Sequence, residues 1–125
     1  MANRRIVVAQ IEKNEKVLIT QLSTGSWELP GGQVRNDETD KEAIVREIYD
    51  KMHISVKCNE KIFSKKFKTE SGIVEIVLYN CSYLSGEVIL NNYKNHIFVD
   101  KSILNTYKFT KPDQSLINYI VNKQV

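Results

Sequence analysis

Residues 32–54 read GQVRNDETDKEAIVREIYDKMHI, and the fold is decided within them. From Thr39 to Met52 apolar residues recur at helical spacing, with Ile44, Val45, Ile48, Tyr49 and Met52 forming one stripe. Thr39 followed three residues on by Glu42 predicts a capping box and so fixes where the helix begins. His53 predicts its end, because helices often close on a left-handed residue and His tolerates that conformation better than most non-glycines. On such a helix Ala43, Glu47, Asp50 and Lys51 project within about 100° of one another, beside the stripe and not opposite it. A solubilising face lies opposite the buried one, so acids flanking it, with small Ala43 between turns, point to a site at the edge of the core. Two acids with a lysine among them leave two readings, a seat for a divalent cation on a phosphate or surface ion pairs. Just upstream, Pro30-Gly31-Gly32 predicts a break, and two residues without Cβ let backbone approach a ligand closely.

Outward from this segment the signals are those of strands. IVVAQIE (6–12) and KVLITQL (16–22) flank the polar turn KNE and predict a hairpin; STGS is a loop and WEL (27–29) a short strand. Beyond the helix, ISVKC, KIFSKKFK and GIVEIVLYNCSYL read as strands, the last two joined by TESG. SGEVILNNYKN reads as a loop, HIFV as a short strand, 101–106 as one helical turn, and 112–122 as a closing helix with Asp113 in its first turn, where an acid suits the dipole. Strands, one helix, more strands and one terminal helix give an α+β chain, a mixed sheet with helices packed on it.

Composition sets outer bounds. At 125 residues, 42% hydrophobic and 26% charged, the chain reads as a single domain over 1–125, neither disordered nor membrane-embedded. No apolar run approaches the roughly 20 residues of a membrane-spanning helix, and MANRRIVVAQ lacks a secretory core, so a cytoplasmic setting is expected. Cys58 and Cys81 form no CxxC pair and read as reduced structural thiols; His53 and His96 are too few for a His-based metal site. The net charge is +3, unevenly laid out. Six acids (Asp37, Glu38, Asp40, Glu42, Glu47, Asp50) precede six lysines at 51, 57, 61, 65, 66 and 68. Such blocks are either two solvated faces or an acidic patch for a cation beside a basic one for phosphates.

Gly32, five residues, Glu38, seven residues and Arg46-Glu47-Ile48 resemble the Nudix box, GX5EX7REUXEEXGU with U aliphatic. WELPGG before it, and HIFVDKSIL and FTKPDQSLI after it, are similar to the flanks of MutT-like members. The resemblance implies a Nudix-type α/β/α sandwich with a mixed, curved β-sheet. It also implies Mg²⁺ or Mn²⁺ as cofactor and hydrolysis of a nucleoside triphosphate or another nucleoside diphosphate derivative. Carried over by position, Glu47 is the main metal ligand and base, Asp50 and the Gly31 carbonyl complete the metal site, and Arg46 pairs with Glu38 to fix the loop on the helix. Asp113 stands where MutT-like enzymes place a base-binding residue, with Phe109 to stack nearby; the other reading makes Asp113 a helix cap. Trp27 is expected in the core.

The departures carry equal weight. The paired acids of the box are here Asp50 and Lys51, its closing glycine is His53, Arg35 stands where many members have Glu, Asp37 replaces a frequent Gly, and the late loop NNYKNH has no acid. Lys51 and Arg35 are therefore candidate phosphate-binding residues. Unit charges 4 Å apart at an effective dielectric near 20 interact by about 4 kcal/mol, doubled for a divalent ion, so a fixed ammonium at the metal would be severe. Lysine's flexible stem relieves this by carrying the ammonium to solvent or onto Glu47. Affinity for free metal should still fall, leaving a site that fills with a metal-diphosphate complex. Two functions stay open, a hydrolase with an altered metal site and a non-catalytic nucleotide-binding or regulatory module. Nucleic acid is not expected as a partner, since Phe63 and Phe67 in the basic segment alternate inward; monomer and homodimer are both open.

Overall fold

The structure, a computed structural model, describes residues 3–122. Strand β1 (Arg4–Lys13) folds back into β2 (Lys16–Gln21) through Asn14 and Glu15, at φ of 53° and 66°. Two consecutive left-handed residues give a turn whose twist suits a hairpin, so the turn is one residue tighter than the KNE reading. Strand β3 (Trp27–Glu28) pairs with β2. Pro30-Gly31-Gly32 does not break the sheet. It feeds β4 (Gly31–Gln33), antiparallel to β1, with Gly31 opposite Val8 and Gly32 opposite Val7. A Cβ on Gly31 would lie 2.1 Å from the Val7 carbonyl oxygen, so the approach of the two strands requires glycine there.

Helix α1 (Asp40–Met52) begins on Thr39 with the reciprocal Thr39–Glu42 capping box and ends on His53 at φ 58°, as the sequence predicts. Strand β5 (Ser55–Thr69) joins what reads locally as two strands, because register shifts near Cys58 and Lys61 absorb the irregular residues without ending the pairing. Strands β6 (Gly72–Ser85) and β7 (Asn95–Asp100), a 3₁₀ turn (Lys101–Thr106) and helix α2 (Lys111–Asn122) complete the described chain. The sheet runs β3-β2-β1-β6-β5, with β4 on β1 and β7 on β2; β1 and β6 are parallel and the other pairs antiparallel, which makes it mixed.

A helix covers each face. Alternation along β1 sends Val7, Ala9 and Ile11 to a core with Ala43, Ile44, Ile48 and Met52 of α1. Val8 faces the other core, with Leu116, Ile117 and Ile120 of α2. Each fully buried aliphatic contributes about 1.5–3 kcal/mol relative to exposure. The predicted stripe of α1 is turned by part of a residue step: Ala43 is buried, while Val45 and Tyr49 are 43% and 54% exposed. The glycine strand β4 is the reason, since it lets the helix lean onto that side. The N-terminus of α1 is pinned by Arg5, whose guanidinium donates to both Asp40 oxygens at 2.7 and 2.6 Å and to Glu75 at 2.7 Å. Tyr79 donates to the same Asp40 at 2.7 Å. At the other end, Ile89 and Asn91 donate their backbone N–H to the carbonyls of Met52 and Lys51, at 3.0 and 2.9 Å. The late loop thereby satisfies carbonyls that a helix end leaves free. Among the described residues no helix is long and apolar enough to cross a membrane, and Cys58 and Cys81, paired across β5 and β6, are free thiols.

Candidate active site

The loop from β4 to α1 is held by one side chain. Arg46 donates to both oxygens of Glu38, at 2.5 and 2.9 Å, and to the Gln33 carbonyl at 3.1 Å. Glu38 also accepts the Arg35 backbone N–H at 3.0 Å. Hydrogen bonding from Arg46, then from that N–H, holds the Glu38 carboxyl at about 2, well below the usual range. The planar guanidinium fork matches a carboxylate at two points, so the loop is fixed in orientation as well as position.

Glu47 lies between β4 and two cations. A Cβ on Gly32 would sit 2.2 Å from its Cδ and Oε2, so the space that the Glu47 carboxylate fills exists because residue 32 is glycine. Its Oε1 accepts from Arg46 Nη1 at 2.7 Å, and its Oε2 faces Lys51 Nζ at 3.2 Å. The same Nζ donates to the Gly31 carbonyl oxygen at 2.5 Å. Lys51 thus joins the carbonyl and the carboxylate that the resemblance to the Nudix box assigns to a metal ion. Of the two places expected for the ammonium, solvent or Glu47, the geometry has Glu47, with the Gly31 carbonyl beside it.

These groups line an open pocket of about 430 Å³. Arg35 and Asp50, both exposed, stand at it with Arg46, Glu47 and Lys51. Two further walls escaped the sequence reading. Glu28 of β3 supplies an acid, and Tyr93 of the late loop donates to it at 3.2 Å. Burial, with Glu28 next to it, pushes the Tyr93 phenol up. The signal for Glu28 was the alternation in WEL: Leu29 is buried toward α2, so Glu28 faces the opposite side.

Asp113 and Phe109 are elsewhere. Asp113 is 7% exposed and accepts the Leu29 backbone N–H at 2.7 Å, which ties α2 to the residues just before Gly31. Burial raises its carboxyl to about 7. Phe109 is 6% exposed in the α2-side core, bridged through its backbone to Trp27. Neither lines the Glu47 pocket. Next to Asp113, Pro112 borders a second, mainly apolar cavity of about 430 Å³ with Ile6, Phe67, Val74 and Ile76.

Mg²⁺ and Mn²⁺ are hard cations that take about six oxygen ligands. Here the Gly31 oxygen and Glu47 Oε2 are already joined through an ammonium. The pocket carries Glu28, Glu47 and Asp50 against Arg35, Arg46 and Lys51, with no excess of negative charge. Among the described residues no three His, Cys, Asp or Glu side chains are grouped to hold a metal. As they stand, the side chains do not fit a resident divalent ion at this position.

Comparison with known proteins gives a consistent result. The NUDIX domain family matches residues 1–115. A CTP pyrophosphohydrolase of Escherichia coli K12 is 30% identical over 76 residues, 57% of this chain and 56% of that protein. A MutT-like protein of Streptomyces ambofaciens is 33% identical over 75 residues, 60% of this chain and 47% of that protein. The match therefore spans about half the length of each relative. In three dimensions the chain is similar to the solution structure of the E. coli ORF135 protein, with a TM-score of 0.89 at 22% identity, covering 100% of this chain and 93% of that one. That likeness shows the fold.

Proposed function

The chain belongs to the Nudix family, and from that premise we propose that it is a MutT-like hydrolase that cleaves the diphosphate linkage of a nucleoside triphosphate or a related nucleotide derivative. The observation that carries this reading is the single pocket in which Lys51 and Arg35 stand beside Glu28, Glu47 and Asp50. Cations of this kind meet phosphate oxygens, and a carboxylate beside them accepts a proton from water. In the reaction, water adds to one phosphorus of the bridge and the bridging oxygen leaves with the other phosphoryl group. Glu47 is the group assigned to the water, Lys51 and Arg35 to the phosphates, and the Arg46–Glu38 pair to holding the loop in register with α1.

No step of this reading is assigned to the family's divalent ion, Mg²⁺ or Mn²⁺, since Lys51 engages the Gly31 and Glu47 oxygens that would hold it. For the nucleoside, Asp113 and Phe109 remain the residues that the resemblance assigns to the base, and the apolar cavity bordered by Pro112 offers room for a ring next to Asp113 in the chain. A cytoplasmic setting is part of the reading, supported by the two free thiols.

A second reading, a nucleotide-binding module without turnover, is favoured by one observation: both Glu47 oxygens are engaged by cations of the chain itself. Purified protein incubated with nucleoside triphosphates and sugar nucleotides in Mg²⁺ or Mn²⁺ separates the two. Phosphate or pyrophosphate release that falls at least about 100-fold in Glu47→Gln supports hydrolysis. No release from any nucleotide overturns it in favour of the binding module.

A further inference from the structure

We infer that the Lys51 ammonium is a cation built into the chain at the inner metal position, so that this protein binds a diphosphate group without a divalent ion. The inference rests on the reading of the pocket as a diphosphate site and adds how its charge is balanced. Three observations carry it. The ammonium bridges the Gly31 carbonyl and Glu47 Oε2, an oxygen pair from β4 and α1 brought together by the Gly32 approach. An ammonium has three donors, and its contacts with Gly31 and Glu47 leave one for a further oxygen. The Lys51 side chain is 34% exposed, so that donor is open to a ligand in the pocket.

Charge gives the same answer. With three acids and three bases on its walls, the pocket has no field that concentrates a free divalent ion. A diphosphate brings its own negative charge, and Lys51 and Arg35 lie where it would enter. The ammonium neutralises Glu47 in the empty pocket and shares its charge with the phosphate when one binds.

The test needs no turnover. Inorganic pyrophosphate is titrated calorimetrically into the whole chain in excess chelator, for wild type and for Lys51→Met, which keeps the stem and removes the charge. Wild type is expected to bind under chelator, and Lys51→Met to bind at least about tenfold more weakly. Lys51→Arg, which keeps the charge, serves as a second variant should the methionine variant melt far below wild type; its binding is expected to exceed that of Lys51→Met. Pyrophosphate binding to wild type that requires added Mn²⁺, or equal affinity in all three proteins, overturns the inference. Failure of hydrolysis is read separately. If pyrophosphate behaves as expected and no nucleotide is cleaved, the hydrolase reading fails alone. If nucleotides are cleaved but chelator abolishes pyrophosphate binding, only the built-in cation fails.

Discussion

Lys51 Nζ lies 2.5 Å from the carbonyl oxygen of Gly31, a residue twenty positions earlier on the neighbouring strand. The contact ties the fourth turn of α1 to β4 at the point where Glu47 also arrives. A lysine that looks, in sequence, like a lesion in an acidic motif is in the structure a crosslink between strand and helix. Its charge is spent on the oxygens that an acid at the same place would have offered to a metal.

Gly32→Ala tests how closely the site is built. The added Cβ would meet Glu47 Cδ at 2.2 Å, and a flexible side chain can swing away, so the fold should lose only about 1 kcal/mol. The carboxylate, however, is displaced from Lys51 and Arg46. Turnover per folded molecule should fall about 10- to 100-fold, read as kcat/KM beside a thermal melt. An alanine variant with full activity would show that the Glu47 position is not the working one.

Arg5→Ala tests the pin on α1. It leaves the Asp40 carboxylate, with 14% side-chain exposure, to the Tyr79 hydroxyl and the more distant Lys61 charge, and should destabilise the chain by about 1–3 kcal/mol. Hydrogen bonding from Arg5 holds the Asp40 carboxyl below its ordinary value. A depressed carboxyl stabilises above the unfolded pKa near 4, and the contribution disappears as pH falls through the folded value. The gap between wild type and variant should therefore be full at neutral pH and shrink below about pH 4 in denaturant titrations.

Asp113 has the opposite sign. Its carboxyl is raised from 3.8 to about 7, mainly by burial, so the folded state holds its proton better than the unfolded chain does. That favourable term is complete below pH 4 and is lost as pH rises from there toward 7. Asp113→Asn, which retains an acceptor for the Leu29 N–H, removes the dependence. Relative to wild type it should gain stability between pH 5 and pH 8, by about 1–3 kcal/mol in denaturant melts.

What was legible in the sequence was local. Thr39 with Glu42, and His53 with its left-handed φ, are decided within a few residues, and the structure has both. The pairing of Arg46 with Glu38 is what the resemblance to the Nudix box implies, and the structure closes it at 2.5 Å. Partners distant in sequence were less legible. Two glycines ordinarily end a strand, and only the close approach of β1, 24 residues away at Gly31–Val7, makes them one. Glu28 and Tyr93 meet across 65 residues, so neither the strand nor the loop announces the wall they share. Val45 and Tyr49 satisfied the helical period but fall outside the buried arc, since periodicity fixes the width of a stripe better than its centre. At Lys51 the inverted charge is legible in the sequence, while the carbonyl that receives it is seen only in the structure.

The built-in cation is tested most directly by a Mn²⁺ titration, followed by electron paramagnetic resonance without nucleotide, of wild type against Lys51→Glu. The glutamate removes the ammonium from Gly31 and Glu47 and gives the pocket an excess of negative charge. At least about a tenfold gain in Mn²⁺ affinity over wild type is predicted. Wild type taking up free Mn²⁺ as tightly as Lys51→Glu would contradict the account.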